Sequence, residues 1–121
     1  MKNYVLIFIG GGIGSLLRFF VSFWLNPMLT LFPLGTFMSN VISSFILGLT
    51  VGLLQLKYDE NNYLHPLIIT GICGGFSTFS TFSNETLNLF RAENYGFGLL
   101  NILLNVTLCI IFILAGIKIA R

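Results

Sequence analysis

GICGGFSTFSTFSNE, residues Gly71 to Glu85, lies inside a long apolar stretch, and its reading decides how the rest of the chain is arranged. Gly71, Gly74 and Gly75 each weaken a helix by about 1 kcal/mol relative to alanine. Non-helical backbone at membrane depth survives only where protein buries it or a cavity opens beside it. A helix broken at these glycines frees carbonyl oxygens, which are good ligands for a hard cation such as Na⁺. The same glycines also suit close helix contact, and composition leaves both uses open. After them, Phe76 to Ser83 repeats with period three, so phenylalanines form one drifting stripe and hydroxyls the two beside it. Hydroxyls at positions 77, 78, 80, 81 and 83 need partners at mid-membrane: carbonyls one turn back, or a polar pathway.

The surroundings make mid-membrane the right frame. Of 121 residues, 55% are hydrophobic and 8% charged, whereas a soluble domain carries about 25% charged residues. The solvent is therefore largely lipid. A span needs about 20 residues, and four such stretches follow one another: 4–24, 34–56, 64–89 and 97–117. Asn26-Pro27 stops the first. Pro33 opens the second, and Lys57, Asp59 and Glu60 close it. Arg91 and Glu93 follow the third, and Lys118 and Arg121 close the fourth. The expected fold is an all-α membrane protein of four transmembrane helices, the third broken at its centre, in a single domain over residues 1–121. Connections this short leave no soluble domain. Lys2 before an apolar run resembles a signal peptide, but the run continues to Trp24 without an A-x-A site, and it reads as the first membrane helix. Lys2, Lys57, Lys118 and Arg121 fall on one side against Arg91, with Arg18 able to join it, which favours cytoplasmic termini. A net charge of +2 is too small and scattered for a nucleic-acid stripe.

Enzyme chemistry finds no footing. No metal set, nucleophile–base pair or cofactor loop is present. Cys73 and Cys109 sit in apolar segments with no CxxC and no Cys/His cluster, and read as small buried hydrophobes. His65, before Pro66, reads as interfacial. What stands out instead is polarity inside the spans. Asn40 has Ser39, Ser43 and Ser44 around it, and Asn101, Asn105 and Cys109 form an i, i+4, i+8 stripe with Thr107 nearby. These groups are either interhelical hydrogen-bond glue or a neutral, donor-rich track. Amide and hydroxyl donors, with phenyl edges carrying the positive part of the ring quadrupole, favour a small anion. The absence of an Asp or Glu ring argues against a cation pore. Arg18 and Glu85 are the charges most embedded in the spans, each near a helix end, suited to a vestibule or to a structural ion pair. Four helices are too thin to enclose a pore, so a dimer is expected. Gly10 and Gly14 form a G-x-x-x-G pair that fits either a dimer face or packing within the chain.

Three segments in order resemble the CrcB/Fluc family of fluoride channels across nearly the whole chain: GGGIGSLLR at 10–18, PLGTFMSNVISSFILG at 33–48, and GICGGFSTFSTFSNE at 71–85. The resemblance implies an antiparallel, dual-topology dimer with two fluoride pores at the subunit interface. It implies that Phe79 and Phe82 turn ring edges to the ion, that Asn40 is the pore asparagine, and that Ser80 and Thr81 lie along the same segment. It implies a central structural Na⁺ held by the backbone carbonyls of Gly74 and Ser77 from both subunits. Asn101, Asn105 and Cys109 fall on the fourth-helix polar track, where the family often has tyrosine, serine or threonine. Ser77 stands where threonine is usual. The N-terminus-in charge bias leaves open a homodimer or a heterodimer with a homologous chain of opposite orientation. The implied role is passive fluoride export across a bacterial plasma or inner membrane, giving fluoride resistance. A small multidrug transporter needs an acidic residue in its first span, which this chain lacks. A non-transporting accessory subunit would not explain the donor stripes.

Overall fold

The computed structural model describes residues 1–56 and 62–121, and the described residues contain helices and no strands. Helix α1 (Lys2–Leu25) ends in a 3₁₀ turn, Asn26–Met28, whose Pro27 cannot supply an N–H to a continuing helix. Helix α2 (Leu34–Leu56) starts directly after Pro33. The charges expected to close it, Lys57, Asp59 and Glu60, lie outside the described residues. Helix α5 (Tyr95–Ala120) outruns its expected bounds at both ends, since no proline or cap stops it earlier. The helical runs Lys2–Met28, Leu34–Gln55 and Tyr95–Ala120 are long and apolar enough to cross a membrane. Arg121 donates to Gln55 Oε1 at 2.7 Å and Tyr63 lies beside Met1 and Lys2, so both termini share one end of the molecule.

The stretch 64–89 is not one helix. It is a π-helical segment, His65–Cys73, then a single turn α3 (Gly74–Phe76), then α4 (Phe79–Arg91). Between α3 and α4 the chain is extended, with ψ 155° at Ser77 and φ −151° at Thr78. The break expected at the glycines thus falls just beyond them. The glycines stay helical, and two of them are used for approach. A Cβ on Gly75 would stand 2.5 Å from Gly11 O, and one on Gly71 2.9 Å from Gly10 Cα. Across the same seam, a Cβ on Gly10 would meet Leu67 O and one on Gly14 would meet Ile72 O. The G-x-x-x-G pair therefore packs α1 against the π segment and α3 within one chain. Gly74 differs: no atom lies within 4 Å of its Cβ position, and it faces outward.

Beyond the break, α4 leaves α1. It leans on α5 and touches α2, while α2 lies along α5. The turn from α4 to α5 is a Schellman closure: Glu93 N–H donates to Phe90 O at 3.1 Å and Asn94 N–H to Leu89 O at 2.9 Å. Glu93 holds the left-handed position usually given to glycine, at φ 60°. In this arrangement the polar side chains of α2, α4 and α5 converge beside the break.

Candidate functional site

The break is organised by two residues that accept backbone amides. Thr78 N–H donates to Asn40 Oδ1 at 2.8 Å, and Thr81 N–H donates to Thr78 Oγ1 at 3.2 Å, so Thr78 is the N-cap of α4. In a continuous helix those amides would have gone to the carbonyls of Gly74 and Ser77, four residues back. Both carbonyls are thereby released from the ladder. The Cys73 carbonyl, by contrast, is crowded: Ser77 N–H (3.0 Å), Ser77 Oγ (2.7 Å) and Ser43 Oγ (3.0 Å) all donate to it. The Ser43 bond pins the end of the π segment to α2 while the chain turns away.

Against the break opens a cavity of about 230 Å³. Asn40 and Ser44 reach it from α2, Asn105 and Cys109 from α5, Ser77 and Thr78 from the break, and Phe79 and Phe82 from α4. Among the described residues no charged side chain lines it. The two rings stand 5.6 Å apart with planes tilted by 47°, Phe82 buried and Phe79 79% exposed. The sequence-derived set is thus brought together in part. Asn40, Asn105, Phe79 and Phe82 share the cavity, along with Ser77. Asn101 does not line it and is 0% exposed, one turn behind Asn105. Ser80 and Thr81 lie on the exposed face of α4, with Ser80 Oγ 3.3 Å and Thr81 Oγ1 3.2 Å from Thr78 Oγ1.

The hydrogen bonds decide which donors remain for a guest. Asn40 Nδ2 donates to Asn105 Oδ1 at 3.0 Å and, at a long 3.5 Å, to Thr78 O. Asn105 Nδ2 is spent on Asn101 O (2.9 Å) and Asn101 Oδ1 (2.8 Å). Asn101 Nδ2 donates to Thr86 Oγ1 at 2.9 Å, and Thr86 Oγ1 to Phe82 O at 2.8 Å. Within the cavity, one weakly held Asn40 N–H, the Ser44 hydroxyl and the Cys109 thiol remain to greet a ligand, beside the two rings. Such a set favours a small, dry anion and offers a cation no carboxylate.

The embedded charges lie elsewhere. Glu85 Oε1 accepts from Thr36 Oγ1 at 2.8 Å, while Oε2 is buried and has no partner among the described residues. Glu85 borders a separate cavity of about 350 Å³ near Asn26, Asn88 and Asn94, at the end away from the termini. Arg18 is half-buried on α1. Among the described residues Arg18 and Glu85 form no ion pair, and the carboxylate takes a hydroxyl instead. Two residues that matter here were not singled out from sequence. Thr78 had a legible signal, a threonine directly before a helix start. Thr86 had none, since its role depends on facing Asn101 across two helices.

The chain matches the family model described as CrcB-like protein, Camphor Resistance (CrcB), over residues 5–117. A protein named fluoride-specific ion channel FluC from Pyrococcus abyssi is 42% identical, covering 100% of this chain and 98% of its own length. One of the same name from Ruminiclostridium cellulolyticum is 39% identical over 100% of this chain and 94% of its own. One from Shewanella frigidimarina is 40% identical over 96% of this chain and 94% of its own.

Proposed function

This chain belongs to the CrcB-like family, and from that premise we propose that it is a fluoride channel, not an enzyme, conducting passively down the ion's gradient. Net flow is outward when cytoplasmic fluoride accumulates, which confers resistance. The single observation that carries this reading is the cavity whose lining, among the described residues, brings two phenyl rings and the one loosely committed N–H of Asn40 together without a charged side chain. Fluoride is the smallest halide and the strongest hydrogen-bond acceptor among them. A site of phenyl rings and a few donors suits it better than larger, softer halides.

The chain crosses a bacterial plasma or inner membrane four times, the third passage being the segmented stretch. It acts as an antiparallel dimer, with itself or with a homologous chain of opposite orientation. Support comes from α4, whose Ser80, Thr81 and Asn84 are exposed together with Phe79 in one chain. Lipid cannot satisfy that polar face, and a second copy can. Two such surfaces facing each other complete two pores. Ser80 and Thr81 line the approach to each, and Arg18 and Glu85 stand toward its mouths. A structural Na⁺ fits the same interface. The Gly74 and Ser77 carbonyls have lost their helical amides, and Gly74 faces outward with no atom crowding it. Two carbonyls from each copy make a neutral oxygen set suited to a hard monovalent cation. The ion would supply positive charge that holds the copies together.

Fluoride efflux from liposomes bearing the purified protein, with chloride as control, tests the function. Selective fluoride efflux is expected. A folded dimer that releases no fluoride, alone or with a homologous partner, overturns the proposal.

A further inference from the structure

We infer that Asn101, which touches no part of the cavity, is a positioning residue that sets anion recognition through Asn105 and Asn40. The inference rests on the fluoride-channel reading of the same cavity.

The hydrogen bonds form one directed chain. Thr78 N–H must meet an oxygen, which fixes Asn40 with Oδ1 toward the break and Nδ2 toward α5. Asn105 must then present Oδ1 to Asn40, leaving its Nδ2 for Asn101 Oδ1 at 2.8 Å. Asn101 must turn its own Nδ2 to Thr86, whose proton goes to Phe82 O. Reversing any one amide sets two carbonyls or two NH₂ groups face to face. The donors all run one way, from Asn40 on α2 through α5 to the backbone of Phe82 on α4. The chain therefore ties the polar wall of the cavity to its aromatic wall. Buried chains of this kind reinforce each bond, and one unsatisfied member is costly.

Asn101 is the member that can be changed without touching the cavity. Asn101→Leu keeps the number and branching of the side-chain heavy atoms, with bulkier methyl groups, and removes both the side-chain acceptor for Asn105 and the donor for Thr86. The main-chain carbonyl at position 101 still accepts from Asn105 Nδ2 at 2.9 Å, but the second Asn105 N–H is left unpaired, and the hold of the Asn105 amide on Asn40 weakens.

Two measurements are made on the full-length protein in bilayers. In efflux assays, Asn101→Leu is expected to lower the fluoride-to-chloride permeability ratio about fivefold, the factor corresponding to one buried neutral hydrogen bond. Thr86→Val is expected to shift the ratio the same way, and Thr86→Ser, which keeps the hydroxyl, to restore it. The double variant Asn40→Ser/Asn101→Leu should match Asn40→Ser alone, because Asn101 acts through Asn40. In NMR exchange measurements, the Thr78 amide proton should exchange faster in Asn101→Leu, a readout independent of transport. Variants that lose yield or thermal stability while keeping both the ratio and Thr78 protection overturn the inference in favour of plain structural glue. Multiplicative effects in the double variant overturn it as well. A wild-type protein that carries no fluoride overturns the channel reading, and the Thr78 exchange result then still decides the relay.

Discussion

Gly75→Ala sets a methyl group against backbone that has little freedom to yield. The added Cβ would lie 2.5 Å from Gly11 O and 3.1 Å from Ser15 N, whereas ordinary contact starts at 3.4 Å. Opening that gap moves α3 from α1 by about 0.9 Å, the difference between the two distances. The atoms met are main-chain, so no rotamer change relieves them. Overpacking of this kind costs about 1–3 kcal/mol, and the better helix propensity of alanine returns at most about 1 kcal/mol. With the full propensity gain returned, a net loss of up to about 2 kcal/mol follows. Gly12→Ala is the control, since nothing lies within 4 Å of its Cβ position, and it should be neutral or slightly stabilising. The assay is unfolding in mixed micelles by rising SDS fraction, followed by far-UV circular dichroism for both variants and the parent. Gly75→Ala unfolding at the same midpoint as Gly12→Ala would refute the seam, and with it the claim that these glycines serve contact and not the break.

Phe79→Ile leaves the buried core intact, because Phe79 is exposed, and is expected to lower fluoride flux about tenfold, the scale of one edge contact of about 1.4 kcal/mol. Unchanged flux removes the ring-edge role there. Phe82→Ile should lower both flux and the unfolding midpoint, since Phe82 is buried. A small methanethiosulfonate reagent is expected to block efflux by modifying Cys109, which lines the cavity, while Cys109→Ser is insensitive. Block that persists in Cys109→Ser places the thiol chemistry elsewhere. Glu93→Gly relieves a left-handed residue at the α4–α5 turn and should raise stability by about 0.5–1 kcal/mol without altering flux. A fall in the midpoint would contradict the Schellman reading.

Much of the arrangement was legible from residue types. Pro27 and Pro33 bracket the first connection because proline lacks an N–H, and the helices stop and start on them. Polarity on Asn40 and Asn105 pointed to one site because buried amides must pair. The position of the break was harder to read. Glycine content marks where a helix is weak, but the break went where side chains could claim the released amides, and Asn40 is far from Thr78 in sequence. The π-helical register of His65–Cys73 was likewise silent, since its apolar residues suit an α-helix equally well. For Asn101, the i, i+4 spacing to Asn105 showed a shared face but not that each would saturate the other.

The extended link at Ser77 and Thr78 also divides one dipole into two. The π segment with α3 ends there on released carbonyls, a partial negative pole, and α4 begins there on its first-turn amides, one of them capped by Thr78, a partial positive pole. Each pole amounts to about half an elementary charge, and low surrounding polarisability lets it act at full strength. Each suits the ion proposed for it, cation on the carbonyl side and anion on the amide side. An uncharged stretch of chain thus presents both signs of field at one depth, and no side-chain substitution can titrate either away.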